Sequence, residues 1–190
     1  MRVIIACEES QAVTKAFRER GHEAYSCDIK ECSGGFPQWH FTDDIFNVLK
    51  IEKRFDLMIA HPPCTYLSVS GSGWLYNRDG SKNEERYQNQ MEGLNFVRKL
   101  MNADVNRIAI ENPISVISTY IREPDQIIHP FQFGDSARKS TCLWLKNLPH
   151  LIPTKIVDPG EKHFWVDKKT GKTKSQPLWY YRALLDAKTP

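Results

Sequence analysis

The chain carries an apolar run that ends in a rigid corner, at residues Phe55-Asp56-Leu57-Met58-Ile59-Ala60-His61-Pro62-Pro63-Cys64. The run is short, apolar and followed by a breaker, which is typical of a buried parallel strand. In open α/β sheets, ligands bind outside the carboxyl ends of the strands. The two prolines fix φ twice and donate no backbone N–H, so the exit from this strand is stiff. We therefore expect the thiol of Cys64 to be held at a cleft, as a nucleophile would be.

Strands and helices alternate on both sides of this run. The hydrophobic patterns predict, in chain order, a strand at 3–6, a helix at 13–20, a strand at 23–27, a helix at 86–101 and a strand at 107–110. Ser10 is a candidate N-cap for the first helix. This alternation predicts an α/β fold with a mostly parallel sheet flanked by helices.

Length and composition exclude several classes of protein. A chain of 190 residues is long enough for one domain, and a net charge of +3 permits nucleic-acid binding without requiring it. The five cysteines form no Cys-x-x-Cys pair, which favours reduced thiols over disulfides or a metal site. With no signal peptide and no apolar stretch that could cross a bilayer, we expect a cytoplasmic protein without a membrane partner.

Two segments of unusual composition interrupt the alternating pattern. Residues 66–86 are rich in serine and glycine, and loops of this length in compact domains are commonly functional or disordered. Residues 160–176 predict a small β-hairpin with a lysine-rich tip that turns at Gly171. Lysines at such a tip could hold phosphate groups, and an ordinary solvated hairpin is an equal alternative.

Acidic residues follow several of the predicted strands. Asp28 ends the second strand, where an acid in dinucleotide-binding units accepts hydrogen bonds from ribose hydroxyls. Asp43 or Asp44 could reach an adenine amino group or could cap the helix that follows, and both interpretations stay open. Glu111 follows an apolar strand and should lie at the same sheet edge as Cys64. A thiol and a carboxylic acid at neighbouring strand ends can attack and protonate a heteroaromatic ring.

Pro62-Pro63-Cys64 and Glu111-Asn112, in this order, resemble the catalytic domain of DNA cytosine-C5 methyltransferases. The resemblance covers most of residues 1–145 and is to a compact form of the kind that phages and prophages carry. It implies a Rossmann-like class I S-adenosylmethionine-dependent methyltransferase fold, with residues 1–190 forming a single domain. It also implies S-adenosylmethionine as cofactor and DNA as partner, in a bacterial or phage-infected host cell.

The resemblance also implies a role for individual residues. Cys64 would add to C6 of cytosine, Glu111 would protonate or hydrogen-bond N3, and Arg138 would contact cytosine O2 or a nearby phosphate. The residues expected to bind the cofactor are Glu8, Glu9, Ser10, Asp28, Asp44 and Pro62. The residues expected to bind nucleic acid are Ser68, Ser70, Lys168, Lys169 and Lys172.

Two departures from the family keep other functions open. The first turn, residues 6–11, contains no glycine, and a large target-recognition region is missing. A degenerate methyltransferase fold that binds nucleic acid or a protein partner would explain both. C5 methylation of RNA uses the same catalytic pair and also stays open. Amino-methylating enzymes are disfavoured, because they place an aromatic residue where this chain has Cys64.

Overall fold

The computed structural model describes residues 1–52, 54–168, 170–178 and 181–182. The chain forms two compact units, and the expectation that residues 1–190 make a single domain stays a prediction. The first unit comprises Met1–Ile127 and Thr141–His150, and the second comprises Ile128–Ser140 and Leu151–Pro190.

A seven-stranded sheet organises the first unit. Its strands are β1 Arg2–Ala6, β2 Glu23–Asp28, β3 His40–Thr42, β4 Leu57–Ala60, β5 Arg107–Pro113, β6 Gln126–Ile128 and β7 Thr141–Lys146. They lie in the order β3-β2-β1-β4-β5-β7-β6. The neighbours among β1 to β5 run parallel, and β7 runs antiparallel to β5. The prediction of a mostly parallel, Rossmann-like α/β sheet is confirmed.

Four α-helices accompany these strands in the described part of the chain: α1 Ala12–Glu19, α2 Ile45–Ile51, α3 Glu84–Met101 and α4 Ile117–Tyr120. Short 3₁₀ segments cover Pro37–Trp39, Val69–Leu75 and Pro130–Gln132. The long helix α3 begins two residues earlier than predicted. Its N-cap Asn83 accepts a hydrogen bond from the Arg86 backbone N–H at 3.0 Å, which satisfies a donor of the first turn.

Both faces of the sheet are covered by apolar side chains, as a parallel sheet requires. On one face α3 buries Leu94, Val97 and Leu100 in the main core. On the other face Val13 and Phe17 of α1 pack against a smaller cluster of strand residues. Each fully buried leucine contributes about 1.5–3 kcal/mol relative to an exposed one, so the helices hold the strand ends in fixed positions.

Glu8, rather than Ser10, supplies the acceptor at the start of α1. The N-cap position is occupied by Gln11, whose φ of 57° places it in the left-handed region. The buried carboxylate of Glu8 accepts hydrogen bonds from the backbone N–H of Val13 and from both the N–H and the hydroxyl of Thr14. The expectation that Ser10 caps this helix is therefore wrong. The Ser10 hydroxyl accepts only from Ala12, at 3.4 Å.

The second unit contains an antiparallel hairpin, with strands β8 Lys162–Val166 and β9 Thr173–Pro177. Gly171 lies in its turn with a φ of +66°, a conformation that favours glycine. The structure thus forms a hairpin where the sequence predicts one at residues 160–176. No helix in the described residues is both long and apolar enough to cross a bilayer.

Replacing Glu8 by glutamine should destabilise the fold by about 1–3 kcal/mol, because an amide N–H₂ would face donors that now bond to a buried carboxylate. Urea denaturation of the purified protein measures this change as a lower midpoint at an unchanged m-value. The matched control is Glu9→Gln, which alters the neighbouring, partly exposed carboxylate. Equal midpoints for the two variants would contradict the capping role of Glu8.

Candidate functional site

A cavity of about 580 Å³ lies at the carboxyl ends of β1 to β4. Residues that directly follow these strands form its wall, and α3 closes it with Asn89, Glu92, Gly93 and Phe96. Acidic side chains are common in the wall and are offset by a single lysine. They are Glu9, Asp28, Asp43, Asp44 and Glu92, with Lys30 as the cation.

Four of the six residues expected to bind a cofactor line this cavity: Glu9, Asp28, Asp44 and Pro62. The other two, Glu8 and Ser10, do not line it, and Glu8 is engaged at the start of α1. Asp44 satisfies both of its predicted roles in position, since it caps α2 by accepting from the Phe46 N–H at 2.7 Å and also lines the cavity.

Two cysteines in the cavity wall have strongly raised pKa values. Burial, reinforced by the charges of Asp28 and Asp44, raises the pKa of Cys7 to about 12. Burial likewise raises the pKa of Cys27 to about 12, and its thiol donates to the Asp43 carbonyl at 3.3 Å. Because the thiolate is the reactive form, neither cysteine can act as a nucleophile near neutral pH.

A second cavity, of about 430 Å³, contains Cys64. Cys64 is exposed, unlike the buried Cys27 and Cys142. The residues that line this cavity are Cys64, Thr65, Ser68, Ser70, Gly71, Trp74 and Arg86. Ser68 and Ser70, both expected to contact nucleic acid, therefore lie beside the thiol, and their hydroxyls are 2.8 Å apart.

One short segment contributes to both cavities. Along residues 62–68, Pro62, Pro63, Tyr66 and Leu67 line the larger cavity, whereas Cys64, Thr65 and Ser68 line the smaller one. The Cys64 carbonyl accepts hydrogen bonds from the backbone N–H groups of Leu67 and Ser68, at 3.0 and 2.9 Å. This tight turn therefore has the larger cavity on one side and the exposed Cys64 thiol on the other.

The Cys64 corner is bonded to the segment that follows β5. The buried amide of Asn112 donates to the Pro62 carbonyl at 2.8 Å. Further along, the Val69 N–H donates to the Ile114 carbonyl at 3.2 Å, and the Val116 N–H donates to the Leu67 carbonyl at 2.9 Å. The corner is therefore fixed on both sides of Cys64, which is the pre-organisation that a catalytic thiol needs.

Glu111 pairs with a residue that the sequence analysis did not assign to the site. His61 Nδ1 lies 3.3 Å from Glu111 Oε2, and both side chains are about 70% buried. His61 Nε2 is buried and has no hydrogen-bond partner among the described residues. Glu111 does not line the Cys64 cavity, so its link to Cys64 runs through His61 and the prolines.

Arg86 and Trp74 were also missed. Arg86 lies in the first turn of α3 and donates to the Thr65 carbonyl at 3.1 Å, beside the thiol. Trp74 is 71% exposed at the rim of the cavity. Their positions in the turn-rich segment that follows the Pro-Pro-Cys corner could have identified them from the sequence.

The four remaining predicted residues fall within the ranges of the second unit. Arg138 Nε donates to the Gly160 carbonyl at 3.3 Å. Lys168 and Lys172 are exposed near the turn of the hairpin, and Lys169 lies outside the described residues. Within the described part of the chain, no group of three histidine, cysteine or acidic side chains is arranged to hold a metal ion.

Comparisons with known proteins give matches to solved structures alone. No family model and no curated protein matches the chain. Forty-eight chains of solved structures match it. One is an E. coli crystal structure described as a "putative DNA modification methyltransferase encoded within prophage", with a TM-score of 0.47 and 13% sequence identity. The match covers 90% of this chain, which spans only 62% of that protein's length.

Iodoacetamide should label Cys64 first in the folded protein. Cys7 and Cys27 should stay unlabelled up to about pH 10, because a pKa of about 12 keeps their thiols protonated. Cys142 should also be protected, since burial raises its pKa as well. Peptide mass spectrometry after timed labelling reports each site, and labelling in 6 M guanidinium chloride should reach all five cysteines. Cys7 reacting as fast as Cys64 would refute this order.

Proposed function

We propose that the chain transfers a methyl group from S-adenosylmethionine to C5 of cytosine in DNA, through a covalent bond between Cys64 and cytosine C6. The observation that carries this proposal is the position of Cys64. Its thiol is exposed on a rigid turn, and Pro62, Pro63, Tyr66 and Leu67 of the same segment line the larger cavity, which is large enough for a cofactor.

The larger cavity suits S-adenosylmethionine in volume and in chemistry. A volume of about 580 Å³ lies in the range of nucleoside-sized ligands. Asp28 would accept hydrogen bonds from the ribose hydroxyls, and the surrounding acids would favour a cationic ligand. Phe96 and Ile45 offer apolar surface for the adenine ring. When bound, the cofactor supplies an electrophilic methyl group.

The chemistry assigned to the chain is nucleophilic addition followed by elimination. The Cys64 thiolate forms a bond to C6, and the electron pair displaced through the ring is accommodated by a proton or hydrogen bond from Glu111 at N3. C5 thereby becomes nucleophilic and accepts the methyl group. A base then removes the C5 proton, and the electron pair expels Cys64. In duplex DNA the cytosine must first leave the stack.

His61 is assigned a positioning role at Glu111. With a proton on Nδ1, its ring donates to Glu111 Oε2 and fixes the carboxyl group at the end of β5. This contact restricts rotation of the Glu111 carboxyl group, so the direction of its other oxygen is fixed as well. A hydrogen bond to a charged group is worth about 1.5–3 kcal/mol, so this contact can matter to the rate.

Contacts with DNA are assigned to two groups of residues. Ser68 and Ser70 line the Cys64 cavity and would meet the target nucleotide or its phosphate. Lys168, Lys172 and Arg138 in the second unit would neutralise phosphates, a contribution that weakens with salt and carries little sequence information.

The proposal predicts a covalent complex with DNA that contains 5-fluorocytosine. Fluorine blocks removal of a proton from C5, so Cys64 stays attached to C6 after methyl transfer. Incubation with S-adenosylmethionine, followed by denaturing electrophoresis and peptide mapping, should show an adduct at Cys64. Cys64→Ser should abolish it, whereas Cys32→Ser, a change at another thiol that is not buried, should leave it intact.

The choice of nucleic acid separates the alternatives. Duplex DNA, single-stranded DNA and RNA of the same sequence are tested in parallel, each with 5-fluorocytosine at the same position. An adduct on RNA alone would replace DNA by RNA as the substrate. Absence of an adduct on all three would overturn the proposal in favour of a nucleic-acid or partner-binding module.

His61→Ala should slow methyl transfer by about 10- to 100-fold with little change in KM for DNA, because it removes one hydrogen bond that orients Glu111. Glu111→Gln should cost more, about 10²- to 10⁴-fold, as expected for a general acid. His61→Gln, which can donate from a similar position, should recover part of the rate. A matched control is His22→Ala, which removes a histidine that contacts Phe17 beside α1. A loss in KM alone would contradict the positioning role.

A further inference from the structure

The second unit contains a cationic cavity of about 350 Å³. Apart from Arg138, the residues that line it have no role in the proposed reaction. Its donors come from both parts of the unit and include no acidic residue. They are His129, Arg138, Ser140, Lys162, Ser175 and Gln176. Arg138 is held at the wall by its hydrogen bond to the Gly160 carbonyl, and the His129 ring is stacked on Phe131 with centroids 5.1 Å apart.

The hairpin places an exposed aromatic ring beside this cavity. Side chains alternate along β8, so Lys162, Phe164 and Val166 share one face. Ser175, directly opposite Phe164 in the register, lines the cavity together with Lys162. Phe164 is 61% exposed, although it lies only two residues, about 7 Å, from the lysine.

We propose that this surface binds single-stranded nucleic acid, with one phosphate in the cavity and an adjacent base stacked on Phe164. Guanidinium, ammonium and hydroxyl donors around a space without carboxylates form a phosphate site. An exposed ring gains free energy when a base covers it, and every base offers a π face. A duplex keeps its bases inside the stack, so only an unpaired nucleotide can satisfy both groups together.

Two features favour nucleic acid over a free phosphate ion. The aromatic ring adds a partner that inorganic phosphate cannot use. Lys168 and Lys172 continue the positive charge along the hairpin, as a polymer of phosphates would require. The proposal rests on the proposed function only in the class of partner, because binding at this site needs neither Cys64 nor a cofactor.

The test is fluorescence anisotropy with the full chain and a fluorescein-labelled 12-mer of oligothymidine. Lys162→Ala should weaken binding about 5- to 10-fold and reduce the slope of log K against log salt by about 0.7, because one phosphate contact is lost. Phe164→Ala should weaken it about 5- to 50-fold with an unchanged salt slope, because one stacked base is lost.

The hairpin offers matched controls for both substitutions. Lys174→Ala removes the same charge from the opposite face, where Lys174 pairs with Trp165 in the register and with Asp167 as an ion pair. Val166→Ala trims a side chain that shares the face and the 61% exposure of Phe164 but cannot stack. Both controls should bind within about twofold of the wild type. Circular dichroism verifies that each variant is folded.

Three further probes distinguish phosphate binding from base stacking as the source of affinity. An abasic 12-mer should keep the Lys162 effect and lose the Phe164 effect. A duplex 12-mer should show no Phe164 effect. If Phe164→Ala and Val166→Ala behave alike, or if inorganic phosphate at low millimolar concentration displaces the oligonucleotide completely, the proposal is overturned.

The outcome is separable from that of the methyl-transfer experiment. A Cys64 adduct together with equal binding by the Lys162 and Lys174 variants would refute this surface and leave the proposed reaction intact. Selective binding without any adduct would refute the reaction and support the surface.

Discussion

The pairing of β4 with β5 is the constraint on which the Cys64 corner depends. The parallel register brings His61 beside Glu111 and Pro62 beside Asn112. Pro62 has no N–H to donate to a ladder, but its carbonyl is satisfied, because it accepts a hydrogen bond from the side-chain amide of Asn112. A slip of one residue would turn these side chains to the other face of the sheet. The position of Cys64 therefore depends on sheet register as well as on the turn that its own carbonyl closes.

Burial distinguishes the cysteines. Cys7 and Cys27 end or follow their strands inside the wall of a cavity rich in carboxylates, where both burial and negative charge oppose ionisation. Cys64 follows its strand by four residues, past two prolines, and reaches the surface. The stiff extension thus separates the Cys64 thiol from the environment that raises the pKa of Cys7 and Cys27.

Features that depend on the local pattern of apolar residues could be predicted from the sequence, whereas features that depend on how the strands align could not. The strands follow from short apolar runs. Because parallel strands end at one edge, the sequence places Asp28, Asp44 and Cys64 at that edge. Asp28 and Asp44 line the larger cavity and Cys64 the smaller one, and their roles stay predictions. The Glu8 contacts with α1 and the pairing of His61 with Glu111 depend on how the chain turns after a strand. The paired residues are 6 and 50 positions apart in the chain, so hydrophobic periodicity does not reveal their contacts.

The segment that lines both cavities has a thermodynamic consequence. Four of residues 62–68 line the larger cavity and three line the smaller one, and the carbonyl of Cys64 closes the turn between them. A ligand that tightens this turn from one side changes the free energy of binding on the other side. Linkage requires the second ligand to exert an equal effect on the first. Any free energy that a ligand in one cavity exchanged with these seven residues would therefore reappear, in equal amount, when a ligand bound in the other cavity.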